Sequence, residues 1–431
     1  MASDLPLAPG GPTIHLTRQP IQAVAGDLVG YDLRFSAGPP DPTAAASPDE
    51  TPEPGQVIDP FGPVVRGIVS TLIEYPVPGL TGDGQSMVGL PRPFIVGDLP
   101  VPFDPAAALI RTSVGADGDP DGVTALAGLV AAGHQIALDG FVVTSGTEPS
   151  LGPARWALVD VRDLTLDQVR LTLAAVLAAG VQPVAIGAAD QQQRDRCADL
   201  GFELFLGRPA VAPLGTGLIG PQQTAALRLL GELSDPLASV DELAAVIATD
   251  PALSFELLRV ANSAAYGYGR TISAIRDAVV IVGQARLRAW VALVALSPSQ
   301  QPPDLLTAAV INARMCEQLA ARTHLGPPGA GFVVGLLDGL AEALGLAVQQ
   351  LTDALPRLSR ELVDALSGED TSLRCLLDAT RCYQLNDLAG LARTRIGHPV
   401  ATRAYLDALT WSVQTTRAVT EPHHAAAADR A

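Results

Sequence analysis

Lysine is absent from this chain of 431 residues, and all 28 of its strongly basic side chains are arginine. Any mechanism that requires a lysine is therefore excluded. Asp and Glu together number 45, which gives a formal net charge of −17. An acidic chain without a basic cluster is a poor candidate for nucleic-acid binding, because neutralisation of phosphates dominates that affinity. We therefore expect no nucleic-acid partner.

Cysteine and long apolar runs are also scarce. The four cysteines, Cys197, Cys316, Cys375 and Cys382, show no CxxC spacing, so they predict reduced core thiols rather than a disulfide framework or a zinc site. No run reaches the roughly 18 uncharged apolar residues that a membrane span needs. Residues 1–11 lack the basic start and apolar stretch of a secretion signal. These absences predict a cytoplasmic protein without a membrane partner.

The first half of the chain alternates between two hydrophobic periods. The strand-like runs are Leu28–Tyr31, Gln135–Leu138, Trp156–Val159 and Pro183–Ile186. Helix-like runs such as Leu166–Ala179 and Gln191–Leu200 separate or follow them. Repetition of strand and helix requires a parallel sheet with helices outside it. The length of about 200 residues favours an eight-fold barrel, and an open doubly wound sheet is the alternative that no Gly-rich phosphate loop supports.

From about Pro221 the pattern changes to one helix after another. Ser239 and Glu242 form a capping box ahead of an apolar run. Gly283 is placed to end a helix over Ala274–Val282 as a left-handed cap. We therefore predict an α/β domain, a TIM-like (β/α) barrel, followed by an all-α domain.

Composition sets the predicted boundaries. A stretch rich in Pro, Asp, Glu, Thr and Ala over residues 38–60 predicts a disordered insertion in the barrel, and the Gly- and Pro-rich stretch Pro76–Pro93 predicts a second one. The predicted parts are a flexible N-terminus at 1–12, the barrel at 13–213, a linker at 214–220, the helical domain at 221–420 and a disordered tail at 421–431.

Several segments of the first half resemble EAL domains, which are barrels that hydrolyse the bacterial second messenger cyclic di-GMP. Arg18–Ile21 and Gly30–Leu33 look like the opening strand and first loop of that family. Ile136–Phe141 resembles its strand that ends in an aspartate pair, and Leu200–Gly207 resembles its last strand. The resemblance implies a barrel over about residues 13 to 213.

The second half resembles HDOD domains, helical relatives of metal phosphohydrolases. The residues that match the HDOD signature are Asp250, Pro251, Leu253, Leu258, Asn262, Ser263 and Gly283. We expect their role to be mainly structural: Asp250 caps a helix, Pro251 starts it and Leu253 fills the core. Asn262 is expected to satisfy carbonyls at a helix end, with contact to a ligand as the alternative.

EAL chemistry resembles a two-metal hydrolysis in which oxygen ligands at strand ends hold two divalent ions. Few of the EAL family's ligand positions carry a matching side chain in this sequence. Asp32 stands for the name-giving glutamate, Asp139 for the first of the aspartate pair, and Asp160 for the aspartate of the lysine–x–aspartate step. The positions that have lost the matching side chain are Ser36, Val96 or Gly97, Ile110–Ser113 (with Arg111, Thr112 and Ser113), Gly140, Leu158, Ala185–Ala189 and Leu206. We expect Asp32, Asp139 and Asp160 to cap helices or bond loop amides, or else to hold one ion.

The helical domain also departs from its catalytic relatives. HD hydrolases need a His-Asp pair, and the matching step here is Asp338-Gly339. His324 and His398 are far apart in sequence, and each is expected to be a surface or capping residue rather than a metal ligand. The sequence thus predicts no metal, no cofactor and no catalysis. The favoured interpretation is a non-catalytic signalling adaptor that binds an unknown protein partner through its HDOD domain; the alternatives are a cyclic di-GMP receptor without hydrolysis and a residual cyclic di-GMP phosphodiesterase.

Overall fold

The structure is a computed structural model that describes residues 14–38, 62–208, 239–248, 274–283, 303–344, 347–353 and 358–428, with a few short stretches between 229 and 291. The chain divides into two compact units, Met1–Val211 and Ala212–Ala431. The predicted flexible N-terminus, the linker and, apart from Gly38, the insertion at 38–60 lie outside the described residues.

The first unit is a closed eight-stranded barrel with the strands in chain order. Its strands are β1 (Ile14–Ala23), β2 (Leu28–Ala37), β3 (Met87–Gly89), β4 (Leu109–Thr112), β5 (Ile136–Asp139), β6 (Ala154–Asp160), β7 (Gln182–Ile186) and β8 (Leu204–Leu206). Each neighbouring pair from β2 to β8 is parallel. The predicted barrel is therefore confirmed.

Strand β1 departs from this parallel arrangement. It pairs antiparallel with β2 on one side and with β8 on the other. Only Val24 to Asp27 separate β1 from β2, and Gly26 turns the chain with a φ of 88°. So short a connection returns the chain antiparallel, since a parallel crossover needs about a dozen residues or more. The strand–helix repeat did not predict this reversed strand.

Helices cover the outside of the barrel where parallel strands need crossovers. They are α1 (Gly62–Glu74), α2 (Val77–Thr81), α3 (Arg92–Ile95), α4 (Pro120–Ala131), α5 (Leu166–Ala178) and α6 (Gln191–Leu200). Helix α5 begins at a capping box formed by Thr165 and Gln168, and α6 ends at Gly201 in the left-handed conformation. The predicted disorder over Pro76–Pro93 is wrong, because this stretch contains α2, β3 and the start of α3.

An apolar layer fills the interior of the barrel. Its buried members are Ile21, Met87, Leu109, Ala137, Trp156, Leu158, Val184, Leu204 and Leu206. Trp156 is the largest of these side chains and is fully buried. Such a layer makes the barrel a packed core rather than a pore, as in other barrels of this kind, and it forms the floor beneath the polar residues at the strand ends.

The described part of the second unit is helical. Its helices are α7 (Val240–Ala248), α8 (Ile275–Val282), α9 (Pro303–Thr323), α10 (Pro328–Leu344), α11 (Val348–Asp353), α12 (Arg360–Ser367), α13 (Ser372–Gln384), α14 (Leu388–Arg393) and α15 (His398–Ala428). The all-α prediction is confirmed. Helix α15 continues to Ala428, beyond position 420 where the sequence predicts the folded unit to end. No helix among the described residues is long and apolar enough to cross a membrane.

Two local predictions in this unit can be compared with the structure. The capping box of α7 is confirmed: the Ser239 backbone amide donates to Glu242 Oε2 at 2.8 Å, and the Glu242 amide donates to Ser239 Oγ at 3.2 Å. Gly283 ends α8 with a φ of 75°, as predicted, but its ψ of 155° is not that of a left-handed cap. The start of α7 and the end of α8 therefore lie at the residues that the sequence indicated.

Helices α9 and α10 pack closely through a glycine stripe. Gly331, Gly335 and Gly339 recur every fourth residue on α10, so they share one face. A Cβ atom at Gly335 would lie 2.6 Å from the carbonyl oxygen of Asn312, and one at Gly339 would lie 2.6 Å from Cα of Ala309. The absence of side chains at these positions lets the two helix backbones approach.

Candidate functional site

The alternation of side chains along the strands places a second, polar layer above the apolar one. Leu109 and Ala137 point into the barrel. Successive side chains of a strand point to opposite faces, so the residues two positions later, Arg111 and Asp139, point inward as well. They lie at the carboxyl ends of β4 and β5, which is the end where barrels of this kind carry their sites.

Two further carboxylates join this layer from other strands. Asp160 follows the interior residue Leu158 by two positions and ends β6. Asp32 lies in β2 in register with the interior residue Met87 of β3. The three carboxylates that the sequence singles out therefore all face the same end of the barrel, which we call the barrel mouth.

Arg111 binds two of these three carboxylates at once. Its Nε donates to Asp139 Oδ2 at 2.9 Å, and its Nη2 lies 2.8 Å from the same oxygen. Its Nη1 donates to Oδ2 of Asp32. Gly89, the residue in register with Arg111 on the intervening strand β3, has no side chain in the way. One guanidinium thus connects β2, β4 and β5.

The Arg111–Asp32 pair is buried. Arg111 is 4% exposed and Asp32 is fully buried, whereas Asp139 is 28% exposed. Burial raises the pKa of Asp32 to about 6, against the attraction of Arg111 and Arg34, which lowers it. The Oδ1 atom of Asp32 has no hydrogen-bond partner among the described residues. This carboxylate therefore depends on Arg111 for most of its compensation.

Asp160 has a different partner. The side chain of Arg162 donates to it through Nε at 2.9 Å and through Nη2, and the Arg162 backbone amide donates at 3.1 Å. The side-chain hydrogen bond from Arg162 holds the pKa of Asp160 below its usual value. Arg162 is 63% exposed and lies over Gly187 after β7, where an added Cβ would meet its Cγ at 2.5 Å. Asp160 thus orients an exposed arginine at the mouth.

The barrel mouth does not fit a pair of divalent ions. Hard cations such as Mg²⁺ take about six oxygen ligands, and Asp32 and Asp139 already direct oxygens at Arg111. In the portions of the chain that are described, no three His, Cys, Asp or Glu side chains converge as metal ligands.

The predicted helical-domain residues are only partly described. Asp250, Pro251, Asn262 and Ser263 lie outside the described residues. Leu253 is buried and Leu258 is half-buried, in keeping with a packing role. Asp338, which stands at the His-Asp step, is buried in α10 and binds Arg381 of α13, with Arg381 Nε donating at 3.0 Å.

Polar groups near Asp338 are also satisfied within the unit. Gln384 Nε2 donates to Asn312 Oδ1 at 2.8 Å, and Cys316 Sγ lies 3.3 Å from Thr380 Oγ1. Burial raises the pKa of the Cys316 thiol to about 12, so this thiol is not a nucleophile at neutral pH. These contacts join α9 to α13.

Two histidines of this unit, His324 and His398, lie at helix ends. His324 ends α9 with a φ of 57°, and its amide donates to the Ala320 carbonyl at 2.9 Å, so it occupies a capping position. His398 begins α15, is 7% exposed and packs against the ring of Tyr383 with centroids 5.8 Å apart.

Arg111 and Arg162 are the site residues that the sequence did not single out. In the sequence, Arg111 was noted only because it lies in Ile110–Ser113, where the expected EAL metal ligand is missing. A signal was present, however, because an arginine two positions beyond an inward-facing leucine at a strand end must point into the mouth. Arg162 lies just past β6, where the sequence offered no comparable indication.

Comparison with known proteins gives three further findings. The family model of the HDOD domain matches residues 219–372. The cyclic di-GMP phosphodiesterase CdgJ of Vibrio cholerae is 24% identical over 388 residues, which cover 88% of this chain and 87% of that protein.

Solved structures that are similar to part of this chain include a phosphodiesterase and an EAL domain protein. The cyclic di-GMP complex of the PaMucR phosphodiesterase matches 45% of this chain and 93% of its own, with a TM-score of 0.35 and 17% identity. The EAL domain protein from Listeria monocytogenes matches 45% of this chain and 85% of its own, with a TM-score of 0.32 and 13% identity.

One sequence prediction is contradicted by these comparisons. We expected the chain not to be an enzyme, yet a relative that aligns with 88% of it is a cyclic di-GMP phosphodiesterase. The error came from equating the loss of family ligands with the loss of catalysis, although other side chains can occupy a barrel mouth. The fold prediction is confirmed: an eight-stranded barrel precedes a helical unit that contains the match to the HDOD family model.

Proposed function

We propose that this chain is a cyclic di-GMP signalling protein in which the barrel mouth contacts the nucleotide and the HDOD domain contacts a protein partner. The observation that carries the proposal is the charged layer at the mouth, built from Asp32, Arg111, Asp139, Asp160 and Arg162. The similarity to a cyclic di-GMP phosphodiesterase along 88% of the chain supports the same ligand.

The arginines of the mouth suit a phosphodiester. Arg162 is 63% exposed, and its hydrogen bonds to Asp160 fix its direction. Arg34 is exposed two positions beyond Asp32 on β2. Guanidinium groups form paired, charge-assisted hydrogen bonds with phosphate oxygens. Arg34 and Arg162 are therefore the groups that we assign to the phosphates of the cyclic dinucleotide.

Arg162→Ala is expected to weaken the binding of cyclic di-GMP to the full-length chain by about tenfold or more, because it removes a charge-assisted contact. Isothermal titration calorimetry with and without Mg²⁺ measures the change. Arg170→Ala is the matched control: Arg170 is an exposed arginine of α5, 59% exposed and 3.8 Å from Asp167, so its loss should leave the affinity unchanged. Equal affinities for the wild type and Arg162→Ala, or no binding by the wild type, would contradict the assignment.

Hydrolysis of cyclic di-GMP is the second candidate activity, and the activity of CdgJ favours it. Asp139 is the carboxylate of the Arg111 cluster that retains exposed surface, at 28%. The samples used for calorimetry can be analysed for the linear dinucleotide by chromatography. Product that forms with the wild type and is absent with Asp139→Asn would assign the reaction to the barrel mouth, whereas binding without product supports a receptor.

The second part of the proposal concerns the HDOD domain. Its buried Asp338 is compensated by the half-exposed Arg381, so this carboxylate is occupied within the unit and we assign partner binding to the exposed surface. We expect chemical cross-links between the full-length chain and its partner to map to residues 212–431. Because the chain has no lysine, the cross-linker must react with carboxylates. Cross-links confined to residues 14–208 would contradict this assignment.

A further inference from the structure

The cation at the centre of the barrel mouth is a side chain of the protein itself. Arg111 directs three nitrogen atoms, Nε, Nη1 and Nη2, at oxygens of Asp32 and Asp139. A guanidinium has five N–H donors and cannot lose its proton under physiological conditions. The positive charge between these two carboxylates is therefore permanent.

Position and burial make this cation part of the barrel wall. Arg111 pairs through its backbone with Ala137 of β5 and Gly89 of β3, so the strand register fixes where its side chain starts. Its guanidinium then spans from β5 to β2 and is 4% exposed. Because the guanidinium is buried and bonded to carboxylates on two sides, it forms a fixed part of the barrel wall.

A divalent ion could not join this cluster without displacing Arg111. The positive charge of the divalent ion would lie beside the positive guanidinium, at a buried position where like charges repel strongly. It would also compete for the oxygens that Asp32 and Asp139 direct at Arg111. The remaining carboxylate, Asp160, binds Arg162 instead.

We infer that the Arg111 guanidinium is the resident cation of the barrel mouth and closes the Asp32–Asp139 pair to divalent metal ions. Both carboxylates bind the same guanidinium, so we expect removal of the arginine to open a metal site between them. A carboxylate in place of Arg111 supplies a third acidic ligand at that point. This inference does not depend on the proposed function, since it concerns metal binding in the absence of nucleotide.

The test is Mn²⁺ binding to the full-length chain, followed by the electron paramagnetic resonance signal of free Mn²⁺ and by the Mn²⁺ dependence of the melting temperature. Arg111→Glu is expected to bind Mn²⁺ at least about tenfold more tightly than the wild type, because it joins three carboxylates without a resident cation. Its melting temperature should rise with Mn²⁺ while that of the wild type stays constant.

Two controls make the result specific. Adding Asp139→Asn to Arg111→Glu should abolish the gained site. Arg111→Ser frees the same two carboxylates without adding a third. It replaces Arg111→Glu in the test if that variant does not fold, and it is also expected to bind Mn²⁺ more tightly than the wild type. Wild-type binding of Mn²⁺ that is lost in Asp139→Asn would overturn the inference. Arg111 variants that fold and bind Mn²⁺ no better than the wild type would overturn it too.

Discussion

Replacing Arg111 with methionine is expected to lower the free energy of unfolding of the barrel by about 3–5 kcal/mol at neutral pH, the usual cost of removing one partner of a buried ion pair. Asp32 is fully buried, and Arg111 is its hydrogen-bonded cation. Without Arg111 the buried, ionised carboxylate keeps only the weaker attraction of Arg34. The barrel must then either unfold more readily or take up a proton at Asp32.

The size of this loss should depend on pH. Burial already raises the pKa of Asp32 to about 6, above its ordinary value of 3.8, so the stability it contributes is present at low pH and is lost as the pH rises through about 6. Loss of Arg111 removes an attraction that lowers this pKa, and the pKa rises further. We therefore expect Arg111→Met to cost more at pH 8 than at pH 5.

Urea unfolding monitored by hydrogen exchange of barrel peptides measures this loss separately from the helical unit. Arg155→Met is the control: Arg155 is an exposed arginine of β6 that bonds Gln135 at 2.5 Å, and its loss should change stability by no more than about 0.5 kcal/mol. The double variant Asp32→Asn with Arg111→Met should recover part of the loss. Equal stabilities for Arg111→Met and Arg155→Met would show that the buried pair is not as described.

Gly335→Ala is expected to destabilise the helical unit by about 1–3 kcal/mol, the usual cost of overpacking a core. An alanine Cβ at this position would lie 2.6 Å from the Asn312 carbonyl oxygen and 2.9 Å from Cys316 Sγ. The nearest contact is backbone, which can yield only if α9 and α10 move apart. Helix propensity alone predicts the opposite sign, because alanine favours a helix by about 1 kcal/mol over glycine.

Gly128→Ala makes the same chemical change where there is space. Gly128 is exposed within α4, and a Cβ there would meet nothing within 4 Å. We expect a gain of up to about 1 kcal/mol in the barrel unit. Unfolding of the two units by hydrogen exchange in urea compares the variants. A gain in both would mean that α9 and α10 do not pack through their glycines.

Much of the fold could be predicted from the sequence because its periodic segments are long. The run Gln191–Leu200 matches α6 residue for residue, and Leu166–Ala179 exceeds α5 by one residue. The short strand β3 was missed, because Met87–Gly89 has only three residues inside a Gly- and Pro-rich stretch and such a segment carries no detectable period. Its place in the sheet comes from pairing with β2 and β4, which is not visible locally.

The site was harder to predict than the fold. Strand ends located Asp32, Asp139 and Asp160 at one mouth, because alternation fixes which side chains point inward. Their partners could not be found in this way. The contact of Arg111 with Asp32 joins residues 79 positions apart across the intervening strand β3, so no local pattern in the sequence indicates it. The same inventory of lost ligands also led to the mistaken expectation that the chain is not an enzyme.

We infer that Arg111 occupies the position between Asp32 and Asp139 where a metal ion would otherwise bind. A crystal structure of the full-length chain grown with Mn²⁺ and cyclic di-GMP, with anomalous diffraction to locate manganese, tests this inference most directly. We expect the Arg111 guanidinium to be hydrogen-bonded to both carboxylates, with no anomalous peak between them. Two manganese ions at the mouth, with Arg111 turned away, would contradict it.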